Sequence, residues 1–226
     1  MARLAQLLAS HRRILVLDAA STQVAVGLLR ADESAIWAQS SDDASRGIFR
    51  GTETVLSQAA VSLADIDAFV YCTGPGSMLG TRTVAMTLRT WLTLKVRPVY
   101  SYQSLAAAAR AEWSRRPRAF VVIADARRET WHTQPIATDG SLMPLQRVAA
   151  AHLPSGELLT PAHFRAWSAP PPGVGECPYE LAALFARLGD ADIFHADTAP
   201  DAFQHESPEY KKWSAQTHSA ETSPKR

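Results

Sequence analysis

The stretch YCTGPGSMLGTR places Gly74, Gly76 and Gly80 within seven residues, after an apolar strand-like run and before an amphipathic helix-like run. A strand–glycine loop–helix order aims backbone N–H groups at the start of a helix, where an anion is favoured. Ser77 lies inside the loop, and Arg82 follows it with a guanidinium able to clamp a carboxylate or phosphate in bidentate fashion. Several known chemistries fail on spacing. A phosphate loop of the GxxxxGK[ST] kind needs a lysine, but Gly80 is followed by Thr81 and Arg82. The dinucleotide fingerprint GxGxxG has one residue too many before its third glycine. A nucleophile elbow needs glycine two residues before the serine, and Pro75 stands there. No HExxH occurs, so no metal site is assigned. Two readings stay open: a structural turn, stiffened by Pro75, and an anion or nucleotide site.

The elements that position this loop follow from apolar periodicity. Residues 13–17 (RILVL) read as a strand buried on both faces. Turn formers at 18–22 lead to a second strand at 24–29, so the two predict a hairpin. A third strand is expected at 36–40, a helix at 49–60 and a buried strand at 68–73. The glycine loop then opens a helix over 82–94, and Val99-Tyr100 begins a further strand. The pattern partly repeats with an alanine-rich helix at 105–113, a strand at 119–124, an antiparallel return at 130–137, a Pro-rich loop at 168–176 and a helix at 179–188. Strands mixed with helices, twice over, predict an α/β chain of two related halves. The expected divisions are an N-terminal extension at 1–12, lobes at 13–100 and 101–213, and a mobile tail at 214–226.

Bulk properties narrow the function classes. The chain has 226 residues, 46% hydrophobic and 20% charged, with formal charge +1. It is long enough for a sizeable core and has no whole-chain attraction to nucleic acid or anionic membrane. Arg110, Arg115, Arg116, Arg118, Arg127 and Arg128 thicken one region; a solvated face and an RNA-facing patch are the two readings. Cys72 and Cys177 lack CxxC partners, which excludes a thiolate zinc cage and suits packed thiols in a reducing cytoplasm. No run reaches the ~20 apolar residues of a membrane span.

Three ordered segments resemble one family. LDAASTQVAVGLL is similar to the LDTST…SVAL opening of the bacterial TsaB (YeaZ) proteins, TGPGSMLGTR to their GPGSFTGxR loop, and IADARRETW to their D-A-R-x-x-E-V-Y strand-turn. PEYKKW at 208–213 is a weaker fourth match. The resemblance implies a two-lobed actin-like ATPase fold (ASKHA, ribonuclease H-like), with mixed sheets flanked by helices. It implies a non-catalytic subunit that pairs with TsaD, the enzyme placing threonylcarbamoyl on tRNA adenosine, with the ATPase TsaE joining. A homodimer is the alternative assembly, and tRNA is met only through the complex. Some positions depart from the pattern. The region SDDASRGIFRGTETVL lacks the HxxxH of TsaD, Ala44 falls where many TsaB members keep histidine, and Met78, Leu79 and Val84 replace Phe, Thr and Gly.

Carried onto this sequence, the actin-like pattern puts Asp18, Ser21 and Thr22 near phosphate or metal, beside Gly74, Gly76, Ser77, Gly80 and Arg82. The competing reading has Asp18 accepting turn N–H groups and the hydroxyls bonding the hairpin backbone. Arg82 is equally suited to pairing with Asp18 or Asp125. No catalytic residue is assigned, and no cofactor is required. The partner seam implied by the resemblance holds Phe49, Leu56, Ala59, Ala85, Met86 and Leu88, with burial inside the lobe as the alternative. A phosphotransferase or hydrolase of the same fold is the alternative function, and a glycoprotease-type peptidase the third.

Overall fold

The computed structural model describes residues 1–203. In chain order its elements are α1 (Leu4–Ser10), β1 (Arg13–Asp18), β2 (Val24–Arg30), β3 (Glu33–Ser40), α2 (Ala44–Gln58), β4 (Ala68–Gly74), α3 (Met78–Leu94), β5 (Val99–Gln103), α4 (Ser104–Arg115), β6 (Phe120–Asp125), β7 (Thr130–Ile136), β8 (Gln146–Ala149), β9 (Leu158–Pro161), β10 (Gly175–Cys177), α5 (Leu181–Ala186) and β11 (His195–Ala196).

The strands form two sheets, ordered β11-β5-β4-β1-β2-β3 and β10-β9-β6-β7-β8. Each sheet has an antiparallel meander, β1-β2-β3 or β6-β7-β8, and parallel strands added beyond the meander's first strand. The repetition expected from the sequence is therefore real at the level of topology. Two mixed sheets flanked by helices make an α/β architecture of two like halves. β5 crosses residue 100, and β11 returns from beyond the second sheet to pair with it.

β1 shows why the first strand reads as unbroken apolar sequence. Leu15 and Leu17 face the core beneath α2 and α3, while Ile14 and Val16 face the core shared with α4 and α5. Alternation along a strand sends successive side chains to opposite faces, and here both faces are covered. α4 lies between the sheets, packing on β4 and β5 as well as β6 and β7. Ala106, Ala107, Ala108, Ala109 and Ala111 are all buried there. Side chains this small let one helix be enclosed on both sides, which explains an alanine run that helix propensity alone does not require.

Caps fix where helices begin. Asp43 accepts the Arg46 N–H at 3.0 Å, so α2 starts at Ala44, five residues before its apolar periodicity is visible. Ser77 accepts the Gly80 N–H at 3.2 Å and starts α3 at Met78, where the sequence placed the start at Arg82. The opening residues expected as an extension form α1: Leu7 is buried, and Ala2 and Phe194 exchange backbone hydrogen bonds of 2.7 and 3.1 Å. Strands β8, β9 and β11 lacked a sequence signal because they are only two to four residues long. Both cysteines are free and buried, and burial pushes the Cys177 thiol up to about 12. The 208–213 match and the 214–226 tail lie outside the described residues.

Candidate functional site

The β1–β2 turn and the loop between β4 and α3 meet at one end of the first sheet. The glycines are explained by this meeting. A β-carbon on Gly80 would sit 2.0 Å from the Ala19 carbonyl oxygen, and one on Gly76 would sit 2.3 Å from that of Ala20. Gly76 also takes a φ of 153°, and Gly74 one of 107°. Ser77 N–H donates to the Ala20 carbonyl at 2.7 Å, and Ser104 Oγ donates to the Pro75 carbonyl at 2.5 Å. The loop thus spends part of its polar backbone on its own neighbours.

Asp18, at the end of β1, is 1% exposed. Its Oδ1 accepts the Ala20 N–H at 2.8 Å; its Oδ2 accepts the Tyr102 hydroxyl at 2.5 Å and the Tyr179 hydroxyl at 2.8 Å. Cys72 Sγ lies 3.9 Å from the Tyr179 oxygen. Burial raises the Asp18 pKa and outweighs these donors, which favour the charged form. Burial, reinforced by the facing Asp18, also pushes Tyr102 and Tyr179 well up, so both hydroxyls remain protonated donors. Carboxylates that hold a metal need a lone pair aimed at open space. Here three donors from the chain occupy that role, and the arrangement does not fit a magnesium–phosphate cradle. Among the described residues no cluster of His, Cys, Asp and Glu has metal-binding spacing.

The other candidates separate. Ser21 Oγ donates to the Gln23 carbonyl and accepts the Gln23 N–H, both at 3.0 Å, so it bonds the hairpin backbone. Thr22 is exposed, and its N–H donates to the His163 carbonyl at 2.8 Å. Arg82 is exposed and forms no hydrogen bond or ion pair with either Asp18 or Asp125. That corrects the pairing expectation: Arg82 stands on α3 and is exposed to solvent. Asp125 instead accepts the N–H groups of Arg127, Trp167 and Ser168. Burial pushes its pKa up, but these bonds prevail and hold it below the usual carboxylate value.

On α2 and α3, Leu56, Ala85 and Leu88 are buried within the lobe, which removes them from any surface seam. Ala59 is half-buried at the end of α2. Phe49 and Met86 are exposed, joined by Met78 and Leu79, at 55%, 57%, 54% and 76%. Phe49 rests edge-on against Trp91, ring centroids 6.2 Å apart, and Trp91 stacks on Phe69 in the core. Phe49 is therefore backed by the core through Trp91. The arginine run does not form one patch: Arg115 and Arg116 bind the buried Glu112, Arg118 binds Glu157, and Arg110 stacks over Trp113. Tyr102 and Tyr179, which close over Asp18, carried no motif in the sequence.

A family model described as TsaD, tRNA N6-adenosine threonylcarbamoyltransferase, matches residues 38–137. Two solved structures share the fold. One is a crystal structure of an uncharacterized protein with similarity to peptidase YEAZ, from Pseudomonas aeruginosa. Its TM-score is 0.61 at 16% identity, with 78% of this chain and 89% of that one covered. The other is YeaZ from Pseudomonas aeruginosa, with TM-score 0.59, 16% identity, and 78% and 90% covered. No curated protein sequence matches significantly. Among the described residues no helix is long and apolar enough to cross a membrane.

Proposed function

We propose that this chain is a non-catalytic TsaB-type subunit that pairs with a TsaD-type threonylcarbamoyltransferase and supports its modification of tRNA in the cytoplasm. The TsaD-type match over residues 38–137 and the fold shared with YeaZ support a role in forming threonylcarbamoyladenosine. The observation that carries the non-catalytic part is Asp18, buried beneath Tyr102 and Tyr179 and accepting three hydrogen bonds from the chain itself. A phosphotransferase of this fold needs that carboxylate open to the ligand. In this reading a TsaE-type ATPase joins the assembly, and the chain itself requires no nucleotide.

The pairing surface is the stripe of Phe49, Met78, Leu79 and Met86 on α2 and α3. An apolar centre with polar surroundings is the anatomy of a protein interface. Co-expression with the same organism's TsaD-type protein tests the reading by size-exclusion chromatography. A stable heterodimer that Phe49→Asp disrupts is the expected result. A tight homodimer that excludes the transferase overturns it. Magnesium-dependent ATP turnover that disappears in Asp18→Ala would favour the phosphotransferase instead.

A further inference from the structure

Between β6 and β7 the chain turns through Arg127, Arg128 and Glu129 with φ of 64°, 51° and 56°. Three successive non-glycine residues in the left-handed region are costly and persist only where surrounding bonds over-determine them. Asp125 supplies much of that restraint. Its Oδ1 accepts the Arg127 N–H at 2.6 Å, while its Oδ2 accepts those of Trp167 at 2.9 Å and Ser168 at 2.6 Å. Thr130 Oγ1 donates to the Arg127 carbonyl at 2.7 Å, and the Ala150 N–H donates to that of Glu129 at 2.8 Å. One carboxylate therefore binds the hairpin turn to the 162–168 loop. The first lobe steadies the same loop through the Thr22–His163 bond.

These restraints present a particular surface. The Arg127 guanidinium stacks over the Trp167 ring at 4.3 Å from its centroid, and Trp167 is still 47% exposed. Arg128 and Arg165 are exposed on either side in sequence, and neither forms an ion pair among the described residues. Asp125 directs both oxygens at backbone donors, leaving Glu129 as the exposed acid of the turn. Planar groups held rigidly beside cations are what unpaired bases and their phosphates require. A protein partner is less well served. Six of the large exposed apolar side chains, Phe49, Met78, Leu79, Met86, Leu94 and Val96, lie on or just beyond α2 and α3, not on the loop that carries Trp167.

We propose that the Arg127–Trp167 stack, with Arg128 and Arg165, binds single-stranded RNA, one base lying on the stack and neighbouring phosphates meeting the two arginines. This goes beyond the pairing role and is measurable on the chain alone, so the two succeed or fail separately.

The test is fluorescence anisotropy of a labelled 12-nucleotide oligouridylate against the purified full chain at a series of salt concentrations. Trp167→Ala is expected to weaken binding by roughly 5- to 160-fold, the range for removal of one base-stacking aromatic. Trp167→Phe, which keeps a ring, restores most of it. Arg128→Ala with Arg165→Ala lowers the slope of log K against log salt by about 1.4, at ~0.7 per phosphate contact. Circular dichroism of each variant verifies the fold. Absence of wild-type binding at low salt overturns the proposal. So does binding undiminished in a folded Trp167→Ala, or a Trp167→Ala that loses transferase pairing while keeping RNA.

Discussion

Replacing Asp18 by alanine is the sharpest probe of the buried cluster it forms with Tyr102 and Tyr179. The substitution deprives three donors of their acceptor: the Ala20 N–H and the hydroxyls of Tyr102 and Tyr179. A buried donor left unsatisfied costs about 1–3 kcal/mol. Two effects reduce the sum. Tyr179 keeps the Cys72 sulfur 3.9 Å away, and loss of the carboxyl removes the burial penalty that raises its pKa. A net loss of about 2–5 kcal/mol follows, a large share of the ~5–15 kcal/mol that holds a typical domain together.

Asp18→Asn removes the charge and keeps part of the hydrogen bonding: its amide oxygen can accept both hydroxyls, while its NH2 then faces the Ala20 N–H, donor against donor. Its loss at neutral pH should be well below that of Asp18→Ala. The pH dependence has a definite sign. A raised folded-state pKa means that the protonated carboxyl favours the fold. That contribution is complete below the unfolded value of about 3.9 and is lost as pH rises through the folded value. Wild type should therefore lose stability relative to Asp18→Asn as pH climbs above about 4. Urea unfolding followed by tryptophan fluorescence, from acid to neutral pH, reads all three proteins. If alanine leaves the midpoint unchanged, or wild type gains on the asparagine variant with rising pH, the account of this cluster is wrong.

Two other perturbations follow from the same geometry. Gly80→Ala drives a β-carbon to 2.0 Å from backbone rather than from a yielding side chain, so a loss of at least about 1–3 kcal/mol should appear in the unfolding midpoint. Asp43→Ala removes the cap of α2, and a loss of about 0.5–2 kcal/mol is expected in thermal unfolding, with fraying of the first turn seen by hydrogen exchange.

Much of the fold was legible because it is written in continuous apolar runs. Residues 13–17, 24–29 and 68–73 each became a strand covered on both faces, and a doubled pattern of elements appeared as two sheets of like topology. Helix starts were less legible: Asp43 and Ser77 each cap through one backbone N–H, with no periodicity to mark them. The site was half-readable. Asp18 and the glycine loop were singled out correctly as neighbours, yet their meaning depends on tyrosines 84 and 161 residues further along the chain. Spacing rules report local chemistry and are blind to groups brought in at that separation. The same applies to Leu56, Ala85 and Leu88, whose helical face could be assigned to core or surface only once the packing of α2 and α3 on the sheet was known.

The late return of β11 to the first sheet bears on the order in which the molecule assembles. β5 pairs with β4 on one side, but its other edge waits for His195 and Ala196, and Ala2 at the start of the chain waits for Phe194. During translation the amino-terminal half therefore emerges with an open strand edge, a template for adventitious pairing with other chains. It closes only when nearly the last of the described polypeptide has left the ribosome. Truncations that remove this return should harm solubility in the cell out of proportion to the few contacts they delete.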